Sequence, residues 1–529
     1  MKHLFLSLLL LISQPLSAQE VQVAIISIND FHASFARDDA QGKPGAAALL
    51  HTVDSLKRLY PNHLVVSAGD NFGGSFFYKA TRGALLPPLF SDLGISLSAL
   101  GNHEFDYGQD SLAVKWKHTP ARPADWDLTY ICANVRRTAD GQPPSFIAPT
   151  AERHILLPGG KTLRVAFAGL IASSTPLQVS KRRIEGLTFD GRYPLVLDSL
   201  LRTPAGQSLQ QAHLRLLLMH VGTDTDSATG EPCWEDADSA QIAAVRSPLW
   251  HGMLTGHSHK QVCGTINGHT YPVVQGLSCG RYVGMLLCSV DTATMQVTRV
   301  EPHLVRVTPP AVLTGRALTM QQRTDSLLRV TCSPDGTPIG QVLTTLPHAL
   351  KHGRDEKYTQ TELGAMVCQA YAEAYRSAAG LTANDVVVGC SHFGSIRTGF
   401  AAGPVRMLHV GEALPFSNAL LAYRLTGRQL IDLVDHGLHN MKYGWIQTSY
   451  LHIERNDAGH VKRLTYQAPG GRRTVIRPGG SYVLVADEYM TLGGDGYLPA
   501  QFPAAQRIGQ PELPATTDAF VQYLRTWRP

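Results

Sequence analysis

The sequence lacks the marks of a chain built for a bilayer, for a nucleic-acid polymer or for disorder. After its first segment, no stretch reaches about 18 uninterrupted apolar residues, the usual bilayer-spanning length, so no membrane anchor is expected. There is no long run of like charge, and no basic run interleaved with aromatics. A net charge of only +5 over 529 residues argues against a polymeric nucleic acid as partner and suits a small anionic substrate. None of the eight cysteines forms a Cys-x-x-Cys clip, which argues against a thiolate zinc site. No internal repeat of fixed period and no low-complexity tract occurs, so a solenoid is not expected. At 44% apolar residues the chain can build substantial cores, and its length accommodates two or three domains.

The first segment stands apart. Met1-Lys2-His3 is basic, Leu4 to Ile12 is apolar apart from Ser7, and Pro15-Leu16-Ser17-Ala18 is a small-residue close. This pattern predicts a cleaved secretory signal over 1–18, and hence a periplasmic or secreted protein. An even number of cysteines in an oxidising compartment leaves room for pairing. Cys263 with Cys279 would close a short loop, and two buried free thiols are the alternative.

From Val21 to about residue 305, short apolar runs end repeatedly in polar clusters. Val21 to Ile28 ends in Asn29-Asp30-Phe31-His32, and His63 to Ser67 in Ala68-Gly69-Asp70. Ile95 to Leu100 ends in Gly101-Asn102-His103-Glu104, Leu214 to Met219 in His220, and Leu249 to Leu254 precedes Gly256-His257-Ser258-His259. Such runs read as buried strands, and helical patterns over Ala46 to Leu59 and Gln241 to Val245 lie between them. The alternation predicts an α/β fold with reactive side chains at strand ends. Pro309-Pro310 breaks the pattern. A linker helix is expected within 311–337, ending in a turn at Pro334-Asp335-Gly336, and a second domain over 338–529. That domain should hold a helix from about Thr361 to Ser377 and strands at Asp385–Val388, Ala419–Tyr423 and Tyr482–Ala486.

The polar clusters share one chemistry. Hydrolysis of a phosphate ester needs an attacking water and a leaving oxygen in line, with the phosphoryl charge stabilised; two divalent ions about 4 Å apart supply both. Carboxylate, amide and imidazole donors suit zinc, manganese, cobalt or iron better than calcium. Asp30-x-His32, Asp70, Asn102-His103, His220 and His257-x-His259 each mean little alone. In this order, each beside an apolar strand, they form a candidate dinuclear centre.

On these motifs the chain resembles the calcineurin-like metallophosphoesterases, and more closely the 5′-nucleotidase / UDP-sugar hydrolase family. The resemblance implies a four-layer αββα sandwich over 19–310, the linker helix, and a C-terminal α/β substrate-binding domain. It implies that Asp30, His32, Asp70 and His259 hold one ion, and that Asp70, as bridge, Asn102, His220 and His257 hold the other. His103 would face the phosphate as acid or transition-state donor, oriented by Asp106; Glu104 would cap or orient and not ligate. In the second domain, Ser391 to Arg397 resembles the family's Asn-x-Gly-Gly-Ile-Arg loop, with Arg397 as phosphate fork. Pro415-Phe416-Ser417-Asn418 and Tyr489 to Gly496 resemble the segments whose aromatics stack on the base, with Asp495 on the ribose. Plain core packing is the alternative for Phe416, an ordinary strand aromatic for Tyr489, and a hairpin turn for Gly493 to Gly496.

His392 stands where the family has Asn, and Ser395 where it has Gly. A second upstream cation is not placed by the motifs; Arg354 and Lys357 are candidates. The implied activity is a monomeric nucleotide phosphohydrolase acting on a small-molecule nucleotide. A UDP-sugar hydrolase or a 2′,3′-cyclic-nucleotide phosphodiesterase with the same metal core is the alternative. A secreted nucleotide-binding protein without turnover would show eroded ligands, which this chain does not.

Overall fold

The computed structural model describes residues 20–528 except 40, 72, 74, 115–125, 180, 228, 234–244, 246–247, 266–271 and 334–335. The signal segment, most of the helix expected over 241–245 and the Pro334-Asp335 turn therefore lie outside the described residues. The chain divides into two compact units. The first comprises residues 1–32, 44–73 and 84–320; the second comprises 33–43, 74–83 and 321–529. Among the described residues no helix is long and apolar enough to cross a membrane.

The first unit holds two six-stranded sheets. In one, Glu20–Ile28, His63–Ser67, Ile95–Ala99 and Thr129–Ile131 run parallel, and Tyr282–Asp291 and Gln296–Arg306 extend the edge antiparallel. In the other, Thr162–Ile171, Leu214–His220, Gly252–Leu254 and Pro272–Gly276 run parallel, flanked by antiparallel Thr150–Leu156 and Gln261–Thr265. The central strands are buried on both faces and read as continuous apolar runs, as parallel strands covered on both sides must. Val23, Ile25 and Leu97 of one sheet meet Phe167, Leu216 and Leu254 of the other in a shared core. Beyond the second sheet, Leu217, Met219 and Met253 pack on Tyr193, Leu197 and Leu209 of two short helices. On the first sheet's outer side lie the helices Ala46–Leu59 and Leu86–Leu93, which contact each other. The sum is the four-layer α/β sandwich. Its parallel strands carry Asp30, Asp70, Asn102, His220 and His257 at or just beyond their carboxyl ends.

The second unit is built on a five-stranded mixed sheet ordered Gln447–Thr448, Val387–Ser391, Ser481–Asp487, Leu420–Thr426, Arg507–Ile508. Val387–Ser391 runs parallel to Ser481–Asp487, and Leu420–Thr426 runs antiparallel to it. The segments after Ser391 and after Asp487, and the segment before Leu420, therefore emerge at one end of the sheet. Helix Glu362–Ala378 starts at Thr361, whose hydroxyl accepts from the Gly364 amide. Helix Gly427–Leu438 starts in a reciprocal Thr426/Gln429 capping box. Helix Gly315–Val330 occupies the expected linker, and the remaining predicted strands appear with ends shifted by a few residues. Within the run at 249–254 the strand is Gly252–Leu254; ahead of it the His251 amide donates to the Arg215 carbonyl and Trp250 packs in the core.

All eight cysteines are free thiols, so the Cys263–Cys279 bridge is not formed. Cys263 is exposed on the edge strand Gln261–Thr265. Cys279 is held in the site loop instead, its amide donating to the Asp30 carbonyl at 2.7 Å.

Candidate functional site

In the first unit the strand-end loops converge so that one donor atom from each of Asp30, His32 and His259, and one from each of Asp70, His220 and His257, lie within 4.8 Å of one another. Asp30 Oδ1 is 3.2 Å from His259 Nε2, and His259 Nε2 is 3.0 Å from His32 Nε2. Asp70 Oδ2 is 3.1 Å from His220 Nε2, and Asn102 Oδ1 is 3.0 Å from His257 Nδ1. Donors on one zinc-class ion, each about 2.0–2.1 Å from it, stand about 3.3 Å apart in a tetrahedron. The Asp70 Oδ2 atom also lies 3.9 Å from His32 Nε2, so a single carboxylate oxygen faces both groups.

Two buried atoms show what the site is shaped for. His220 Nδ1 donates to the Ala68 carbonyl at 2.8 Å, which leaves Nε2 as the atom that faces the carboxylates; burial works to lower this ring, but Asp70 and Asp30, with no cation between them, outweigh it and raise it to about 10. That Nε2 is buried without a hydrogen-bond partner, although Asp70 Oδ2 is close. Nitrogen and carboxylate side by side, out of hydrogen-bonding line, fit a shared cation better than a shared proton. Asp30 and Asp70 are fully buried, at 0% and 2% exposure. Two carboxylates so desolvated require positive charge between them. Burial holds His32 down to about 3 and His257 down to about 4, so both present neutral imidazoles, the ligand form.

The backbone is unusual at the same places. Asp30, His32, Asp70, His257 and His259 all have positive φ, from 47° to 83°. A non-glycine residue held there costs about 1–3 kcal/mol and persists where its surroundings over-determine it. Here they do. Asp30 accepts from the His257 amide at 3.0 Å and from Asn29 Nδ2 at 2.7 Å. Asn29 in turn bonds the backbone of Gly276 and Leu277.

Glu104, placed as an orienting residue, has a defined task. Its carboxylate accepts from the amides of Asp70 at 2.9 Å, Asn71 at 2.9 Å and Gly101 at 2.7 Å, and from Asn71 Nδ2 at 3.2 Å. It thereby ties the Asp70 loop to the Asn102 loop. Gly101 is required by this closeness, since a Cβ there would run into the Asp70 carboxylate and Glu104 Oε2.

His103 sits beside the cluster, its ring edge-on to His32 at 5.1 Å. Its amide donates to Asp70 Oδ1, and its Nδ1 is 2.9 Å from Asp106 Oδ2. Burial disfavours a charge on this ring, but Asp70 and Asp106 outweigh it and raise the group to about 9. The Asp106 contact assigns a proton to Nδ1 and leaves Nε2 for a ligand. The sequence reading did not find Asn29, Asn71, Gln178, whose amide is 3.2 Å from His257 Nε2, or Arg183, 3.9 Å from Asp106. The signal for two of these was present: an Asn adjoins each buried candidate Asp, at Asn29-Asp30 and Asp70-Asn71.

In the second unit the structure gathers His392, Tyr489 and Asp495. His392 Nδ1 is 2.6 Å from Asp495 Oδ2, and the Tyr489 hydroxyl donates to Asp495 Oδ1 at 3.1 Å. The His392 and Tyr489 rings lie 5.0 Å apart. Burial works to raise the Asp495 carboxyl, but His392, Tyr489 and the Arg397 charge hold it below its ordinary value. Tyr489 packs on Gly494 so closely that any Cβ there would enter its ring. Arg397 lies over the Phe416 ring at 6.0 Å. Phe416 and Tyr489 are 54% and 46% exposed, available to a ligand face and not plain core. Asn418 points elsewhere, its amide 3.4 Å from Asp487 Oδ1. Ser395 bonds Ser391 and the His392 carbonyl, closing the turn. Lys357 is bonded to the Lys442 carbonyl, and the Arg354 side chain lies outside the described residues. Asn440 and His436 were not anticipated; they hold the carbonyls of Asp495 and Gly496.

Residues 23–261 match the calcineurin-like phosphoesterase family, and residues 338–502 match the 5′-nucleotidase C-terminal domain. An apyrase of Anopheles gambiae is 22% identical over 95% of this chain and 87% of its own. A 5′-nucleotidase of Mus musculus is 22% identical over 94% and 87%. The crystal structure of a 5′-nucleotidase precursor from Thermus thermophilus covers 95% of this chain and 96% of its own, at 21% identity, with a TM-score of 0.64. The sandwich and the second unit's sheet are thus joined in one known architecture, and the chain belongs to the 5′-nucleotidase family of calcineurin-like metallophosphoesterases, metal-dependent hydrolases of phosphoric esters.

Proposed function

We propose that this chain is an exported, dinuclear nucleotide phosphohydrolase of the 5′-nucleotidase type, releasing nucleoside and phosphate. The observation that carries the reading is the convergence of two donor sets on Asp70 Oδ2. Asp30, His32, Asp70 and His259 would hold one divalent ion, and Asp70, Asn102, His220 and His257 the other. The donor set suits zinc, manganese, cobalt or iron. Such ions acidify water and neutralise phosphoryl charge. His103 keeps a proton on Nδ1 against Asp106 and presents Nε2 to a phosphoryl or leaving oxygen, as donor. Arg397 would clasp phosphate through its planar fork. Phe416 and Tyr489 would stack on the base, and Asp495 would accept from ribose hydroxyls. Relatives named apyrase and 5′-nucleotidase support nucleotides as the substrate class. The basic, apolar and small-residue order of residues 1–18 supports export; the mass of the mature N-terminus tests it.

One observation favours a second substrate reading. Both oxygens of Asp495 are already engaged, by His392 and by Tyr489. This leaves fewer free lone pairs for ribose hydroxyls, and favours a 2′,3′-cyclic nucleotide, whose ribose has no free 2′- and 3′-hydroxyls to bind. Turnover of AMP, ATP, UDP-glucose and 2′,3′-cyclic AMP with manganese, cobalt or zinc decides between them. No turnover of any nucleotide with any of these metals would overturn the proposal, and one bound ion per active chain would overturn its dinuclear part.

A further inference from the structure

The second unit carries another group of side chains able to hold a metal, made of residues that take no part in the His392, Tyr489 and Asp495 contacts. Asp435 lies in the last turn of helix Gly427–Leu438, His439 follows it at i+4, and His460 stands at the turn between strands Leu451–Arg455 and Val461–Gln467. One donor atom from each of the three lies within 4.8 Å of the others. Asp435 Oδ2 is 2.9 Å from His460 Nδ1 and 3.8 Å from His439 Nδ1. These values bracket the separation of about 3.3 Å between donors on a tetrahedral zinc-class ion.

The framework around them is fixed. The Val461 amide donates to Asp435 Oδ1 at 2.6 Å, which aims Oδ2 at the histidines. The His460 amide donates to Asn456 Oδ1, which closes the turn carrying that ring. The two rings lie 4.4 Å apart at 32°. Neither imidazole is buried, with side-chain exposures of 42% and 57%, so an ion can enter and retain water. Ring pairs that close tolerate a shared cation better than two separate protons.

We propose that Asp435, His439 and His460 form a further divalent-cation site in the second unit, for a borderline ion of the zinc, copper, nickel or cobalt class. Two imidazoles and one carboxylate select that class over magnesium or calcium. The remaining coordination positions are open to water, as three protein ligands leave them. On binding, the ion takes the place of the proton that His460 Nδ1 gives to Asp435 Oδ2, and His439 gives up its bond to the Asp435 carbonyl, 2.8 Å away; each displaced proton passes through water to the Nε2 of the same ring, so both imidazoles stay neutral.

The test uses the full chain, with its hydrolytic centre loaded beforehand with manganese. Titration with zinc by calorimetry, and with copper(II) by electron paramagnetic resonance, is compared between the parent and the H439A/H460A variant. The parent should take up one more equivalent than the variant, and its copper spectrum should show coupling to imidazole nitrogens. Both proteins should hydrolyse the same substrate at the same rate. Equal stoichiometry, or a copper signal without nitrogen coupling in the parent, overturns the proposal. Should the double variant lose native circular dichroism, His460→Gln on the exposed turn carries the same comparison.

Discussion

Replacing Glu104 by Gln would change one atom's identity in a fully buried carboxylate that accepts four hydrogen bonds. Whichever way the new amide is turned, its NH2 faces two donors. With the NH2 toward Asp70 and Gly101, two buried amides lose their acceptor. With the NH2 toward Asn71, the Asn71 side chain can flip, but its Oδ1 must then leave the Ser67 hydroxyl and the Asn71 amide stays unpaired. Each buried donor without an acceptor costs about 1–3 kcal/mol; burial and the Asp70 charge push the Glu104 carboxyl up to about 8, so nothing extra is counted for a charged acceptor. The expected loss is therefore about 2–5 kcal/mol in the stability of the first unit. Because the freed amides belong to the Asp70 and Gly101 loops, metal affinity should fall about 10–100-fold. Denaturant unfolding of metal-free protein, followed by a tryptophan signal from the first unit, measures the first quantity. Equilibrium dialysis against buffered zinc measures the second. An E104Q protein with parent stability and parent metal content would refute the reasoning, because it would mean that the four contacts hold nothing together.

Asp70→Asn should remove bound metal and turnover together, whereas His103→Ala should retain metal, by elemental analysis, and lose about 10²–10⁴ in kcat, the usual range for a positioned acid. Tyr489→Leu should raise KM for the best nucleotide about tenfold with kcat nearly unchanged, since base–aromatic stacking is worth about 1–3 kcal/mol; an unchanged KM would remove Tyr489 from the binding site. Glu152, on strand Thr150–Leu156, is held down to about 2, chiefly by the Arg164 guanidinium at 2.7 Å and 2.9 Å and also by His154. A carboxyl with a depressed folded-state value stabilises above about pH 4.5 and loses that contribution as pH falls toward about 2. The Tm of the parent should exceed that of Glu152→Gln near neutrality, and the gap should narrow below about pH 4.5; a constant gap would contradict the assignment.

Much of this was readable in the chain because each ligand type stands at or just past an apolar strand, a local pattern. Asp30, Asp70 and His220 needed no tertiary knowledge to be singled out. Their supporting partners did. Glu104 serves Asp70 and Asn71 from 34 and 33 residues away, and Asn29 serves Leu277 from 248 away. Contacts that cross between strands carry no local signature. The same limit explains residues 33–43 and 74–83, which cluster with the second unit although their sequence neighbours belong to the first. In the second unit the loop motifs were visible, but side-chain direction was not. Asn418 turns toward Asp487 because that carboxylate is fully buried and needs donors. The expected Cys263–Cys279 bridge came from sequence separation alone, which says nothing of the edge strand that carries Cys263 outward.

The left-handed backbone at five of the proposed ligands bears on how such a protein would decay. For Asp30, His32, Asp70, His257 and His259, glycine is the residue that the local conformation itself prefers. In a lineage no longer selected for turnover, drift toward glycine at these positions would relieve torsional cost and remove a buried pair of like charges. A retired copy of this chain would therefore survive heating in chelator better than the working one. Among descendants of such a protein, unusual toughness without metal would be a symptom of lost chemistry and not of refinement.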